Sequence, residues 1–221
     1  MTFENALMLL SGVAWSIVYV EAIRVGFKDK SYAMPLWALA LNLAWELLHA
    51  VFGYQAEGIQ MQIVINAVWF LLDLGLLYTY FRFGKKYFPK GIRPMWFYIW
   101  GGLAIASAFI IQGVFINEFG LLMAAVYAAF LQNLLMSVLF ITMLVQRGSS
   151  EGQSLRIAIA KCIGTVAPTI LMGIVGIKGV MEASPFVLAT GGLILVFDLA
   201  YIWRLANVIN TEKGSLTRGS V

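Results

Sequence analysis

Three carboxylic acids lie inside long apolar segments of this sequence, and they are the residues best suited to chemistry. They are Glu46, Asp73 and Asp198. A carboxylate at the centre of a bilayer costs about 2.5–3.5 kcal/mol even on lenient insertion scales, so some role must offset that cost. A carboxylic acid in apolar surroundings tends to keep its proton, because burial disfavours the charged form. Such a group can act as a general acid.

The segment around Glu46 carries a polar stripe at helical spacing. Asn42, Glu46 and His49 stand at positions i, i+4 and i+7, which places them on one side of a helix. Trp45 adjoins Glu46. Its indole face can stabilise a cation in a dry pocket by about 2 kcal/mol, although a packing role explains a single tryptophan equally well.

The other two acids have companions at similar spacing. Asn66 and Trp69 precede Asp73 on one helical face, and Tyr201 follows Asp198 by three residues. At about 1.5 Å of rise per residue, the depths of the three acids differ by less than about 10 Å. Polar faces of membrane helices point into the bundle. We therefore expect the three acids to surround one cavity.

A structural role is the alternative for each acid taken alone. Polar side chains often serve only as hydrogen-bond partners between membrane helices, worth about 0.6–2 kcal/mol. We expect no Lys or Arg inside the membrane to neutralise the three acids together. That expectation favours a functional role.

The elements that position these residues are predicted to be membrane-spanning helices. Hydrophobic residues make up 61% of the 221 and charged residues 12%, and the mean hydropathy is +0.85. A soluble domain has about 25% charged residues. Lipid allows only helices or closed barrels, and the apolar segments have the length of helices. They cover residues 3–23, 33–54, 60–82, 95–114, 119–146, 157–177 and 185–205. We predict one all-α, seven-transmembrane-helix domain over 1–210 and a disordered polar tail over 211–221.

The basic residues indicate how this bundle is oriented. They follow the first, third, fifth and seventh segments, whereas the opposite loops hold one Lys and three Glu. Basic loops face the cytoplasm. The N-terminus is therefore predicted outside and the C-terminus in the cytoplasm. The net charge of +4 follows from this topology, and we expect no nucleic-acid partner.

Cofactor chemistry finds little support in the sequence. Cys162 is the single cysteine, so it can form neither an intramolecular disulfide nor a cysteine-based metal site. No Asp-rich diphosphate-binding cluster is visible. We predict no metal and no cofactor.

Three short patterns resemble a known family. They are Asn42-Leu-Ala-Trp45-Glu46, Trp69-Phe-Leu-Leu-Asp73 and Asp198-Leu-Ala-Tyr201. The chain resembles the Pyr4/PaxB-type membrane-bound terpene cyclases, small seven-helix enzymes of meroterpenoid and indole-diterpenoid pathways. The resemblance implies that Glu46 and Asp198 are the catalytic acids, which we expect to act as one unit. Asp73 then belongs to the pocket.

The resemblance also implies a reaction. The enzyme protonates the terminal alkene or epoxide of a farnesylated or geranylgeranylated aromatic substrate, and rings close through a carbocation cascade. The hydrophobic substrate enters from the bilayer. We expect the pocket to be lined by Asn42, Trp45, His49, Asn66, Trp69, Asp73 and Tyr201.

Other functions compete with this interpretation. A proton-coupled small-molecule transporter also uses acids inside the membrane, and it is the strongest alternative. A retinal photoreceptor needs a Lys in the last helix, and residues 185–203 contain none. A purely structural protein leaves the three acids unexplained.

Overall fold

The computed structural model describes residues 2–218, with the side chains of residues 2–215. Within that range the regular structure is helical, and the only β pairing is an isolated bridge between Ile177 and Met181. This confirms the predicted all-α class. The helices are α1 (Phe3–Lys28), α2 (Leu36–Glu57), α3 (Met61–Phe83), α4 (Met95–Arg147), α5 (Leu155–Ile170) and α6 (Pro185–Arg218).

Six helices of residues 2–218 are long and apolar enough to cross a membrane. Helix α4 has 53 residues, which at 1.5 Å per residue is about 80 Å, more than twice a bilayer core of about 30 Å. Its backbone is not helical at Gly120, where φ is 71° and ψ is 163°. Glycine tolerates this positive φ because it has no Cβ. The break falls close to the loop predicted between segments 95–114 and 119–146.

Helix α5 contains Pro168, and the surrounding residues compensate for it. Proline has no N–H, so the carbonyl of Gly164, one turn earlier, loses its usual donor. The Ser11 hydroxyl donates to that carbonyl oxygen at 2.7 Å. The helix then widens into a π turn, Leu171–Val175. Tertiary contact with α1 therefore allows a proline inside a spanning helix.

The chain divides into two compact units. One comprises the residues up to Ala22 together with those from Ser137 onward, and the other comprises Ile23–Met136. We call them the terminal unit and the central unit. Each contains one of the polar clusters described below.

Small residues bring the helices of the terminal unit close together. A Cβ added at Gly173 would lie 3.0 Å from the backbone N and Cα of Leu188 in α6. A Cβ at Gly164 would lie 2.9 Å from the Trp15 ring. Close approach of this kind lets membrane helices gain dispersion energy where the hydrophobic effect contributes little.

The central unit packs α2 against α3 in the same way. A Cβ at Gly53 would lie 3.2 Å from Ile63. Near the end of α3, the Tyr80 ring stacks on Phe97 with centroids 5.0 Å apart, and Tyr32 meets it edge to face at 5.1 Å. These contacts hold the α3 face that carries Asp73 toward α2.

The predicted disordered tail is helical where the structure describes it. Helix α6 continues to Arg218, and the Glu212 carboxylate accepts hydrogen bonds from the backbone N–H of Ser150, at 2.8 Å, and from its hydroxyl. This contact links α6 to the α4–α5 loop, and the disorder expected for residues 211–221 stays a prediction. Residues 219–221 lie outside the described part.

Candidate active site

The polar stripe predicted on α2 is buried in the central unit. Asn42, Glu46 and His49 are all buried, and Glu46 is only 1% exposed. The Asn42 side-chain amide donates to Glu46 Oε1 at 3.3 Å. Since the two residues are one turn apart, α2 itself orients the carboxyl group. The Glu46 side chain lies in a cluster of uncharged hydrogen-bonding groups.

Trp45 and His49 form the aromatic part of this stripe. Their rings lie 4.7 Å apart between centroids, and His49 Nδ1 is 2.8 Å from the Trp45 carbonyl oxygen. The Trp45 indole N–H donates to the carbonyl oxygen of Ala125 at 3.0 Å. The Trp45 indole is therefore held at its edge by this hydrogen bond and at its face by the His49 ring. It can present one fixed orientation to a substrate.

Asp73 of α3 is fully buried and meets the α2 stripe. The side chains of Glu46 and Asn42 are the polar neighbours of its carboxyl group. No hydrogen bond of ordinary geometry reaches either Asp73 oxygen from the described residues. Two carboxyl groups can hydrogen-bond to each other only if at least one carries a proton, because ionised carboxylates only accept. Glu46 and Asp73 therefore form a close acid pair, hereafter the α2–α3 acid pair.

Two glutamines that sequence reasoning missed extend this cluster into α4. Gln132 Nε2 donates to Asn42 Oδ1 at 3.0 Å, and Gln112 Nε2 donates to Gln132 Oε1 at 2.7 Å. Both glutamines are buried. The available signal was an amide side chain in each of the two apolar segments of α4. A continuous chain of hydrogen bonds thus leads from Gln112 to Glu46.

The remaining central-unit candidates occupy the same side of α3 as Asp73. Asn66 is buried and accepts a hydrogen bond from Gln62 Nε2 at 2.8 Å. Trp69 is half-buried. The structure therefore places seven predicted residues in the central unit: Asn42, Trp45, Glu46, His49, Asn66, Trp69 and Asp73.

Asp198 lies in the terminal unit and is neutralised by a lysine. Lys161 Nζ lies 2.8 Å and 3.0 Å from the two Asp198 carboxylate oxygens, and it donates to the Ser137 hydroxyl at 2.6 Å. Lys161 is 1% exposed and Asp198 2%. The expectation that no Lys or Arg inside the membrane neutralises the acids is therefore wrong. A lone Lys between Ala160 and Cys162 in an apolar segment was the signal for a buried partner.

Tyr201, one turn after Asp198, has partners of its own. Its hydroxyl donates to Gln153 Oε1 at 2.9 Å, and its ring lies 5.3 Å from that of Phe140. The structure thus places Tyr201 in the same unit as Asp198, packed against α4 and the loop before α5. Its role in binding substrate stays a prediction.

The joint action of Glu46 and Asp198 also stays a prediction, since the two acids belong to different units. No group of three or more His, Cys, Asp or Glu side chains within residues 2–218 could hold a metal ion. What the central cluster can do is hold a proton in a buried, uncharged environment, whereas the terminal cluster holds a buried ion pair.

Comparison with known proteins gives a consistent result. The sequence matches the family of Pyr4-like transmembrane terpene cyclases over residues 1–210. The Pyr4-family terpene cyclase mfmH of Annulohypoxylon moriforme is 30% identical over 167 residues, which cover 74% of this chain and 67% of the relative. Terpene cyclase macJ of Penicillium terrestre is 34% identical over 174 residues, covering 72% of this chain and 62% of the relative.

A third relative is matched over more of its length. Terpene cyclase pyr4 of Aspergillus fumigatus is 28% identical over 207 residues, which cover 90% of this chain and 85% of the relative. The match thus spans about two thirds of mfmH and macJ but most of pyr4. No solved structure matches the chain.

Proposed function

The chain belongs to the Pyr4-like transmembrane terpene cyclase family, and on this premise we propose that it cyclises a prenyl chain by protonation. The substrate is a farnesylated or geranylgeranylated aromatic compound that enters from the bilayer. Relatives that are named terpene cyclases support the reaction class. The α2–α3 acid pair is the observation in this chain that supports the mechanism.

Glu46 is the proton donor in this proposal. None of the buried residues described in the central unit is a Lys or Arg, so two ionised carboxylates there would repel each other without compensation. The pair is stable when it shares at least one proton. Transfer of that proton from Glu46 to the less substituted carbon of the terminal alkene, or to an epoxide oxygen, leaves a carboxylate on the pair and a cation on the substrate.

The cation then closes rings and loses a proton from a carbon next to the last cationic centre. The electrons of that C–H bond form the final double bond, so product and substrate have the same mass. Trp45 supplies a fixed π face for the cation, and the Asn42 amide orients Glu46. His49, Asn66 and Trp69 complete the wall, and Asp198 and Tyr201 keep the catalytic and substrate-binding roles predicted for them. The reaction needs neither metal nor cofactor.

The proposed architecture is a seven-helix bundle, with α4 counted as two spans on either side of Gly120. Its N-terminus lies outside and its C-terminus in the cytoplasm. The alternation of basic loops supports this orientation.

The test of this function is product formation in membranes that contain the chain. Farnesylated and geranylgeranylated aromatic substrates, with and without a terminal epoxide, are added, and the extract is analysed by liquid chromatography and mass spectrometry. We expect a product of unchanged mass and altered retention. Only unreacted substrate across the whole set, with the protein folded, would contradict the proposal.

A proton-coupled transporter is the second candidate, and the α2–α3 acid pair favours it because buried acids also form the proton relays of transporters. Proton-coupled transport depends on a proton gradient across the membrane, whereas cyclisation does not. Cyclisation in detergent, where no gradient exists, excludes a function limited to transport. Proton flux in proteoliposomes that depends on a solute, without any new product, would establish the transporter.

A further inference from the structure

The ion pair in the terminal unit uses every hydrogen-bonding group of its lysine. An ammonium group has three N–H donors. Lys161 Nζ has three oxygen partners, two on Asp198 and one on Ser137, all within 3.0 Å. Both carboxylate oxygens of Asp198 thus face the same cation. This geometry suits the ionised forms of both residues.

A buried ion pair of this kind contributes little to stability by itself. The desolvation of two buried charges often exceeds their mutual attraction, and replacing a buried pair with apolar residues is frequently neutral or stabilising. The penalty is larger within an apolar segment than in a soluble core. Helices α5 and α6 already pack closely through Gly173 and Leu188, so they do not need this pair to associate.

The two acid sites therefore differ in kind. Glu46 lies beside a second carboxyl group and accepts from the Asn42 amide, whereas both Asp198 oxygens face the Lys161 ammonium group. A carboxyl group bound to an ammonium through both oxygens has no proton to give. Glu46 is therefore suited to donate a proton, and Asp198 is suited to act as a fixed anion.

We propose that Lys161 is a positioning residue that holds Asp198 as a carboxylate, and that cyclisation requires Asp198 as an anion and not as a second proton donor. The proposal rests on the cyclase function above. It assigns a role to Lys161 and changes the role expected for Asp198. The proton that starts the reaction then comes from the α2–α3 acid pair alone.

The first test is spectroscopic and does not depend on activity. The chain contains aspartate only at positions 29, 73 and 198. Asp29 is partly exposed beside Lys28. With ¹³C-labelled aspartate in an Asp29→Asn/Asp73→Asn background, Asp198 is the one labelled side chain, so the infrared carbonyl band of a protonated labelled acid reports on Asp198. We expect no such band at neutral pH, and we expect it to appear when Lys161→Met is added. A labelled band already present with Lys161 intact would overturn the proposal.

The second test separates the fixed anion from a purely structural ion pair. The double variant Lys161→Met/Asp198→Asn removes both charges together, so no unpaired charge of this ion pair remains buried. We expect it to fold and to bind substrate with little change in KM, but to lose at least about 10²-fold in kcat, as when an electrostatic stabiliser is removed. Lys178→Met, at an exposed site of the same unit, is the matched control.

Wild-type cyclisation by the folded double variant would reduce the pair to a structural tie and refute the proposal. Failure of the wild-type chain to make any product would instead refute the cyclase function. The infrared result would still stand in that case, so the two failures are distinguishable.

Discussion

Replacing Glu46 with Gln tests the proposed proton donor with little disturbance of its surroundings. In the Glu46→Gln variant, the side-chain amide oxygen can accept from Asn42 as the Glu46 carboxyl oxygen does now at 3.3 Å. The new amide N–H₂ group can donate to Asp73, the other carboxyl group of the pair. The variant therefore lacks only the transferable proton.

The size of the effect follows from what is lost and what is kept. General acid catalysis contributes about 10²–10⁴-fold, so kcat should fall by that factor, which is about 2.7–5.4 kcal/mol of transition-state stabilisation. The hydrogen bond from Asn42 is kept, and a single hydrogen bond contributes about 1 kcal/mol to stability. We therefore expect the free energy of unfolding to change by no more than about 1 kcal/mol.

The assay measures kcat for isobaric product formation in detergent, together with thermal stability of the same preparation. Glu57→Gln is the matched control, because Glu57 is an exposed carboxylate at the end of the same helix. Asp73→Asn should lower kcat less, by about tenfold, since Glu46 keeps its proton and loses only the neighbouring carboxyl group. Near-normal cyclisation by a folded Glu46→Gln protein would remove Glu46 as the acid. A larger loss in Asp73→Asn would assign the donated proton to Asp73.

Three further predictions concern topology, metal and packing. A reporter fused after Val221 should report cytoplasm and one in the loop at Glu57 the outside; reversal of both signals would show that the charge pattern was misinterpreted. Cyclisation should continue after exhaustive chelation of metal ions, and a loss of activity that Mg²⁺ restores would point to ionisation of a diphosphate instead. Gly173→Ala should destabilise the protein in detergent by about 1–3 kcal/mol, because its Cβ would press on the Leu188 backbone. Gly192→Ala, which meets no atom within 4 Å, should leave the melting temperature unchanged or slightly higher.

Most of the fold could be predicted because lipid restricts the possibilities to helices of known length. The predicted apolar segments fall on helices of the structure, although two of them, 95–114 and 119–146, lie on the single helix α4. The end of α6 was harder to predict, since a polar sequence such as 211–218 has no apolar pattern. A single contact between Glu212 and the Ser150 region accompanies its helical structure, and nothing in local composition indicates that contact.

The candidate site was predictable where its members share one helix. Spacing alone indicated that Asn42, Glu46 and His49 lie on one face, and all three are buried. The contacts between helices were not predictable, because the sequence does not show which buried polar group meets which. Gln132 and Lys161 were missed for this reason, although each stood out as a polar residue in an apolar segment.

The ionisation of an acid is set by its neighbours, and this is the property that a resemblance between sequences transfers least well. Glu46 and Asp198 are both carboxyl groups in apolar helices, and the patterns around them indicated equal roles as acids. In the structure Glu46 adjoins Asp73, which favours a shared proton, whereas Asp198 adjoins Lys161, which favours a carboxylate. Two acids in opposite environments can serve a reaction that needs both a proton and a fixed negative charge. It follows that Lys161 carries as much information about the mechanism as either acid.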